Sequence, residues 1–235
     1  MDDRQDSCVE ASTLRVAYLA PPTDRDYPGA IQEVFDRHVQ ARLAVDRFRP
    51  HRNEFPDHVT FDLIVLTGSV ARIGTTEQWF SPLAEYVEGA IDAGTPVLGV
   101  CFGHQFLADL FGGTVTALPD QQVTVSTIER TDAGRAHPLF EGLPHRFDSF
   151  VYHHDHVTEL PPNATRLARN ETGIQAFTLA DRPVWGIQFH PEFTESMARA
   201  VGYDGVLDVE TSRRLYPNAL EMAQQRGSSP TAVDH

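Results

Sequence analysis

The apolar positions of this chain follow two different periods. Short apolar runs rich in strand-forming residues stand at residues 14–20, 61–66 and 95–100, and each is followed by a stretch in which apolar side chains recur every three or four positions. The three helical faces comprise Ile31, Val34, Phe35, His38, Val39 and Leu43, then Leu83, Val87, Ala90 and Ile91, and finally Phe106, Leu107, Leu110 and Phe111. This alternation predicts β/α units around a parallel sheet.

Local signals predict where two of these helices begin or end. Ser81 followed by Pro82 is typical of an N-cap and the first helical position. Gly94 is placed to end that helix, and Gly112-Gly113 is placed to end the next one. Glycine suits these positions because it adopts the left-handed conformation at a helix C-terminus without strain.

The second half of the chain has a different character. Strand-like segments stand at residues 123–129, 147–152, 174–179 and 184–189, with few helical patterns between them, and helical patterns return after residue 192. A series of strands without intervening helices indicates antiparallel pairing. We therefore predict an α/β fold with a mainly parallel central sheet and an antiparallel β extension in the second half.

The length of 235 residues fits one core with small additions. We expect a flexible N-terminal tail at residues 1–13, a main domain at 14–200, and a C-terminal helical appendage and tail at 201–235. No apolar run approaches the roughly 20 residues that span a bilayer. The first ten residues are acidic and polar, unlike a secretory signal, so we expect a cytoplasmic location.

The charge of the chain narrows its choice of partners. The net charge is -14, and every basic residue is an arginine. This acidity argues against nucleic acid or an anionic membrane as a partner, because both bind positive surfaces. Two interpretations of the acidity stay open: simple solubility, or adaptation to a high-salt cytoplasm in which salt screens the self-repulsion.

Candidate chemistry begins at Gly99–Gln105, where a predicted buried strand runs directly into a helix. A nucleophile at such a turn has a strained backbone, and small residues two positions before and after it, here Gly99 and Gly103, relieve the crowding. The turn would set Cys101 at a helix N-terminus, where the helix dipole favours a thiolate. The amide of Phe102 would then point to a developing oxyanion. The alternative is an ordinary buried cysteine.

The second cysteine, Cys8, lies in the predicted N-terminal tail. We expect no structural disulfide between Cys8 and Cys101, because the turn around Cys101 is typical of a working thiol.

A second group of candidate residues stands at Trp185–Glu192. An apolar strand ends at His190, and Glu192 follows two positions later. Residues two apart in an extended chain face the same way, so the carboxylate can hold one nitrogen of the ring. The other nitrogen is then free to take a proton from a thiol. A histidine beside a glutamate can also be a simple surface pair, but the turn at Cys101 argues against that interpretation.

Taken together, the segments Gly99–Gln105 and Trp185–Glu192 resemble the class I, or triad, glutamine amidotransferases. The order of Cys101, His190 and Glu192 along the chain differs from that of cysteine members of the α/β-hydrolases and of papain-like proteases. The resemblance implies a flavodoxin-like three-layer sandwich in which these three residues form the catalytic triad. It implies no cofactor.

The strand at 61–66 leads to a loop that the resemblance assigns to the oxyanion hole. Synthase-linked members carry a proline in this loop, whereas this chain has Gly68-Ser69 without one. Either amide, of Gly68 or of Ser69, could complete the hole. This loop, with Trp79 and the segment at 48–56, is more similar to stand-alone amidotransferase-like proteins, some of which are γ-glutamyl peptidases.

A histidine-rich segment at 151–157 invites a metal interpretation. On a strand, however, His154 and His156 share one face while His153 and Asp155 share the other, so four ligands cannot converge, and we expect no metal site. The resemblance instead implies that His153 and Asp155 help to bind the α-amino and carboxylate ends of glutamine. It also places Gln105 in the substrate pocket.

Three functions follow as hypotheses from the resemblance. The first is a glutaminase that cleaves the γ-amide of glutamine through a thioester on Cys101 and supplies ammonia to a separate ATP-dependent synthase, since the sequence has no P-loop. The second is a stand-alone γ-glutamyl peptidase or hydrolase. The third is a non-catalytic module that senses glutamine, against which the intact triad argues.

Overall fold

The computed structural model describes residues 13–227. Its sheet has nine strands. They are β1 (Leu14–Leu19), β2 (Leu43–Phe48), β3 (Leu63–Leu66), β4 (Val97–Val100), β5 (Thr114–Arg130), β6 (Arg146–Glu159), β7 (Ala164–Asn170), β8 (Gly173–Leu179) and β9 (Val184–Ile187). The α-helices of this part are α1 (Tyr27–His38), α2 (Phe80–Asp92), α3 (Phe102–Leu110), α4 (Asp132–Ala136), α5 (Glu195–Ala200) and α6 (Leu215–Gly227).

The strand order in the sheet is β2-β1-β3-β4-β9-β8-β7-β5-β6. The first five strands in this order are parallel to their neighbours. From β9 onwards each pairing is antiparallel. The predicted α/β fold, with a parallel half and an antiparallel extension, is therefore confirmed.

The central parallel strands β1, β3, β4 and β9 are buried on both faces, which makes the fold three-layered. Alternate residues of β1 point to opposite sides, so Val16 and Tyr18 pack in one hydrophobic cluster while Ala17 and Leu19 pack in another. Helices α1 and α6 contribute to the first cluster. Helices α2 and α3 contribute to the second. This is why the central strands are continuous apolar runs in the sequence instead of alternating ones.

Two local predictions were wrong, and the predicted helix ends at Gly94 and at Gly112 are confirmed. Leu43 belongs to β2 and not to the first helix, which ends at His38. Ser81 is not an N-cap, because α2 starts at Phe80 without a side-chain cap. Gly94 does follow the end of α2, with a positive φ of 86°.

The part of the chain after residue 200 packs on the sheet. Leu215, Tyr216 and Leu220 of α6 are buried in the same cluster as β1 and α1. The proposed division at residue 200 stays a prediction, and residues 1–12, including Cys8, lie outside the described part. Among the helices of residues 13–227, none has the length and apolarity that a bilayer crossing needs.

Candidate active site

Strand β4 ends at Val100, and α3 begins at Phe102, so Cys101 occupies a turn of a single residue. Its φ is 52° and its ψ is -100°, a strained conformation for a residue with a side chain. A Cβ on Gly99 would lie 2.5 Å from the backbone of Gly103, and one on Gly103 would lie 2.1 Å from the carbonyl oxygen of Leu66. The turn therefore depends on both glycines.

The side chain of Cys101 is buried, with 6% of the residue exposed. Its Sγ lies 3.6 Å from the carbonyl oxygen of Tyr152 on β6. The first intrahelical bond of α3 runs from the amide of Gln105 to the carbonyl of Cys101, at 3.0 Å. The amides of the first turn, including that of Phe102, consequently have no acceptor within the helix and can face an anion.

His190 follows β9 and is fixed by the bond from its amide to the carbonyl of Phe150, at 2.7 Å. Its Nδ1 donates to Oε1 of Glu192 at 2.7 Å, and the side chains of both residues are fully buried. Its Nε2 is buried and has no hydrogen-bond partner within the described residues. The ring is thus oriented by the carboxylate, and one nitrogen remains available for proton transfer.

The protonation of His190 is set by opposing effects. Burial lowers the pKa of the ring, but the charges of Glu192 and Cys101 and the hydrogen bond to Glu192 raise it by more, to about 10. The carboxylate of Glu192 therefore stabilises a protonated ring.

Three aromatic side chains around His190 could not be assigned from sequence patterns. Tyr27 stacks on the ring at a centroid distance of 5.4 Å, and Phe193 packs against it at 4.9 Å. The hydroxyl of Tyr216 donates to Oε2 of Glu192 at 2.6 Å. Of the three, only Phe193 could have been found from the sequence, because it directly follows the His-Pro-Glu motif. Tyr27 and Tyr216 belong to helices that are distant in the chain.

The loop after β3 lies against the same ring. A Cβ on Gly68 would be 3.1 Å from Cε1 of His190 and from the ring of Tyr27, so a larger residue would fit only if one of these rings shifted by a few tenths of an ångström. The hydroxyl of Ser69 donates to the carbonyl of Pro22 at 2.7 Å, which holds the loop to the end of β1. The structure therefore brings the predicted oxyanion loop to the candidate triad.

The residues predicted to bind substrate meet one turn of α3 beyond Cys101. Nε2 of Gln105 donates to the carbonyl oxygen of Asp155 at 2.7 Å and to Oε1 of Gln188 at 3.1 Å. Nδ1 of His153 donates to the same carbonyl at 3.0 Å. Burial, followed by the charge of His190, lowers the pKa of His153 to about 4, which favours the neutral ring.

The carboxylate of Asp155 has a partner that sequence reasoning missed. Nε and Nη2 of Arg72 donate to its two oxygens at 2.8 and 2.5 Å. On the other face of β6, His154 is exposed and His156 bonds the carbonyl of Thr172. Within residues 13–227 no group of three or more His, Cys, Asp and Glu is arranged to hold a metal ion.

Several curated proteins are similar to this chain. A gamma-glutamyl-L-1-hydroxyisopropylamide hydrolase of a Pseudomonas species is 33% identical over 162 residues, which are 62% of this chain and 54% of the hydrolase. The glutamine amidotransferase-like protein chyE of Penicillium rubens is 31% identical over 197 residues, which are 80% of this chain and 81% of that protein. A glutamine-hydrolyzing GMP synthase subunit of Pyrococcus abyssi is 41% identical over 98 residues, which are 41% of this chain and 50% of the Pyrococcus protein. The matches thus span only about half of the Pseudomonas hydrolase and of the Pyrococcus protein.

Solved structures share the fold. A glutamine amido transferase from Methylobacillus flagellatus superposes with a TM-score of 0.73 at 20% identity, covering 95% of this chain and 99% of that one. A glutamine amidotransferase from Thermotoga maritima gives a TM-score of 0.70 at 19% identity, covering 93% of this chain and 100% of that one.

The family model described as glutamine amidotransferase class-I matches residues 28–204, which is more than half of the chain. The matched span contains the turn at Cys101, the loop at Gly68, and both His190 and Glu192. The chain therefore belongs to the class-I glutamine amidotransferase family.

Proposed function

We propose that this protein hydrolyses the γ-amide of glutamine, with Cys101 as nucleophile, His190 as acid and base, and Glu192 as the group that orients His190. The observation that carries the proposal is the buried relay in which Glu192 holds Nδ1 of His190 at 2.7 Å while Nε2 stays unbonded beside the Cys101 turn. This is the arrangement that a triad mechanism needs.

The first half of the reaction forms a thioester. Cys101 passes its proton to Nε2 of His190, and the thiolate attacks the amide carbon, so that a C–S bond forms and the carbonyl electron pair moves to oxygen. The amide of Phe102, with that of Gly68 or Ser69, stabilises this oxyanion; one such donor is typically worth about 3–4 kcal/mol. The C–N bond then breaks, and His190 returns the proton to the departing nitrogen.

The second half releases glutamate. A water molecule gives a proton to His190 and attacks the γ-glutamyl thioester. The C–S bond breaks, and the sulfur recovers its proton from His190. Throughout both halves Glu192 accepts the hydrogen bond of Nδ1, and Tyr216 holds Glu192 in place.

A second candidate function differs only in the leaving group. The Pseudomonas relative is named as a hydrolase of a γ-glutamyl alkylamide and is 33% identical to this chain. This supports a stand-alone γ-glutamyl hydrolase that releases an amine in place of ammonia. Supply of ammonia to a separate ATP-dependent synthase is supported by the similarity to the Pyrococcus GMP synthase protein, which covers 41% of this chain. A cytoplasmic location belongs to the same proposal.

Trapping the acyl-enzyme separates these functions. The purified chain is mixed rapidly with L-glutamine or with a γ-glutamyl alkylamide, quenched in acid and examined by intact-protein mass spectrometry. We expect one glutamyl group on Cys101 and none on the Cys101→Ala variant. Acylation by the alkylamide alone identifies the hydrolase; acylation by glutamine only after an ATP-dependent synthase is added identifies the ammonia-supplying amidotransferase. Label that persists in Cys101→Ala and therefore lies on Cys8, or no label with either compound even after the synthase is added, contradicts the proposal.

A further inference from the structure

Arg72 and Asp155 form an ion pair that the triad mechanism does not use. Arg72 stands three residues after Ser69, on the loop that carries the proposed oxyanion amides, and Asp155 lies on β6. The two residues are 83 positions apart in the chain, yet two parallel hydrogen bonds of 2.8 and 2.5 Å join them. This side-on geometry fixes the plane of the guanidinium group.

The pair lies at a definite place relative to Cys101. The carbonyl of Asp155 accepts from Gln105, which stands one helical turn after Cys101, a rise of about 6 Å. Along β6, Asp155 is three residues from Tyr152, whose carbonyl lies 3.6 Å from Sγ, and three residues of strand span about 10 Å. A γ-glutamyl group measures about 5 Å from its reacting carbon to its α-carboxylate. With a C–S bond of about 2 Å at one end and a hydrogen bond of about 3 Å at the other, a bound γ-glutamyl group spans about 10 Å, which is the separation along β6 between the Tyr152 carbonyl and the pair.

The guanidinium of Arg72 retains donors for a second anion. Its Nε and Nη2 engage Asp155, whose side chain is only 8% exposed, whereas the side chain of Arg72 is 47% exposed. The edge that includes Nη1 is consequently not used by Asp155. An arginine that is held from one side by a buried carboxylate can bind another carboxylate end-on through its outer edge.

The charge of the molecule favours such a cation. A chain with a net charge of -14 repels an anionic substrate, and a local positive group offsets this repulsion for an α-carboxylate. Arg25 is another cation near the centre, since its guanidinium lies 5.0 Å from the ring centroid of Tyr152. Its side chain is only 11% exposed and it pairs with Asp24, which leaves it less accessible than Arg72.

We propose that Arg72 determines specificity for γ-glutamyl substrates by binding their α-carboxylate, with Asp155 holding the guanidinium in position. This inference rests on the proposed γ-glutamyl chemistry. It assigns to Arg72 the role of distinguishing a γ-glutamyl amide from an otherwise identical amide that lacks the carboxylate.

The test compares two substrates that differ only in that carboxylate, γ-glutamyl-p-nitroanilide and 4-aminobutyryl-p-nitroanilide. We expect the wild-type chain to prefer the first in kcat/KM by about tenfold or more, as a charge-assisted hydrogen bond gives. Arg72→Gln should abolish the preference by raising KM for the γ-glutamyl compound alone. Arg72→Lys should retain part of it, and Arg37→Gln, which alters an exposed arginine of α1, should behave as wild type.

A measurement of the nucleophile itself separates binding from positioning. The rate at which iodoacetamide alkylates Cys101 should be the same in Arg72→Gln and wild type, because this reagent makes no use of the carboxylate site. A fall in kcat for both anilides, or slower alkylation, would show that Arg72 only positions the Ser69 loop and would overturn the inference. The inference would also be overturned if Arg25→Gln lost the preference for the γ-glutamyl anilide while Arg72→Gln kept it. If neither the two anilides nor glutamine acylates the wild-type chain, the proposed function itself fails. This inference then fails with it.

Discussion

The state of the His190 ring depends on its individual neighbours. Glu192 accepts from Nδ1, Tyr27 stacks on one side, and Phe193 packs at 4.9 Å. The ring is fully buried, so contacts of this kind must offset the cost of burying its charge. Single substitutions that leave the packing intact should therefore change its protonation more than its position.

Glu192→Gln should lower the pKa of His190 from about 10 towards the ordinary value of 6.5, since the carboxylate charge is removed. In the wild type the raised pKa of His190 increases the free energy of unfolding; this contribution is complete below pH 6.5 and disappears as the pH rises through about 10. In the variant the free energy of unfolding should not fall over this pH range. NMR titration of histidine-labelled protein measures the shift. His104, whose pKa burial lowers to about 3, provides an internal control that should not move. A His190 titration that stays near pH 10 in the variant would contradict the assignment.

Tyr216→Phe should destabilise the protein by about 1–3 kcal/mol, because it leaves the buried Oε2 of Glu192 without its donor. Turnover should fall as well, since the carboxylate is held less firmly. Urea denaturation measures the first effect and steady-state kinetics the second. Tyr203→Phe is the control: it removes a bond to the nearby carbonyl of Val206 outside the site and should cost about 0.5 kcal/mol or less. Equal effects in the two variants would argue against a role for the Tyr216 bond.

At the scale of elements, the turn between β4 and α3 decides whether the site can form. Gly103 lies so close to Leu66 of β3 that no side chain fits between them. The strained φ of Cys101 is maintained only because strand, helix and neighbouring strand pack together around it. Cys101 is thus positioned by packing on three sides and not by the turn alone.

Gly103→Ala should cost about 2–4 kcal/mol in stability and strongly reduce turnover, because its Cβ would lie 2.1 Å from the Leu66 carbonyl. Gly89→Ala is the matched control. Gly89 lies on helix α2, and a Cβ there would meet nothing nearer than 4.0 Å. The higher helix propensity of alanine should therefore stabilise that variant by about 0.5–1 kcal/mol. Thermal unfolding of both variants gives the comparison. Unchanged stability in Gly103→Ala would mean that β3 and α3 are free to move apart.

At the scale of the whole molecule, the C-terminal helix connects the core to the site. Leu215 and Leu220 of α6 are buried with residues of β1 and α1, while Tyr216 reaches Glu192. The sequence predicts an appendage after residue 200. An appendage could unfold separately from the main domain. Its burial favours a single cooperative unit that includes both the parallel sheet and α6.

Deleting residues from Leu215 onwards should prevent cooperative folding, since it uncovers the apolar face of the sheet that α6 covers. Far-UV circular dichroism during urea unfolding would show a broad or absent transition. A chain that ends at Gly227 keeps the whole of α6 and serves as the control. Retention of a sharp transition and of activity in the shorter chain would support an independent appendage.

The two motifs around Cys101 and His190 could be predicted because each is local. Small residues two positions either side of Cys101 signal the turn, and the spacing of His190 and Glu192 signals their shared face. The central parallel strands were visible because burial on both faces removes the polar positions from a strand. In the antiparallel half β7 was not predicted, because its polar residues interrupt any apolar run. The edge strand β2 was missed, because Leu43 also continued the helical spacing of the preceding segment.

By itself, the sequence determined the class of fold, the strand-to-helix turn at Cys101 and the residues that flank it, since these depend on neighbours in the chain. Only the tertiary structure decided that Tyr216 supports Glu192, that Tyr27 stacks on His190, and that Arg72 meets Asp155. It also decided that the pKa of His190 lies far above its ordinary value. These features arise from burial and charge acting through space between distant segments, which no spacing along the chain records.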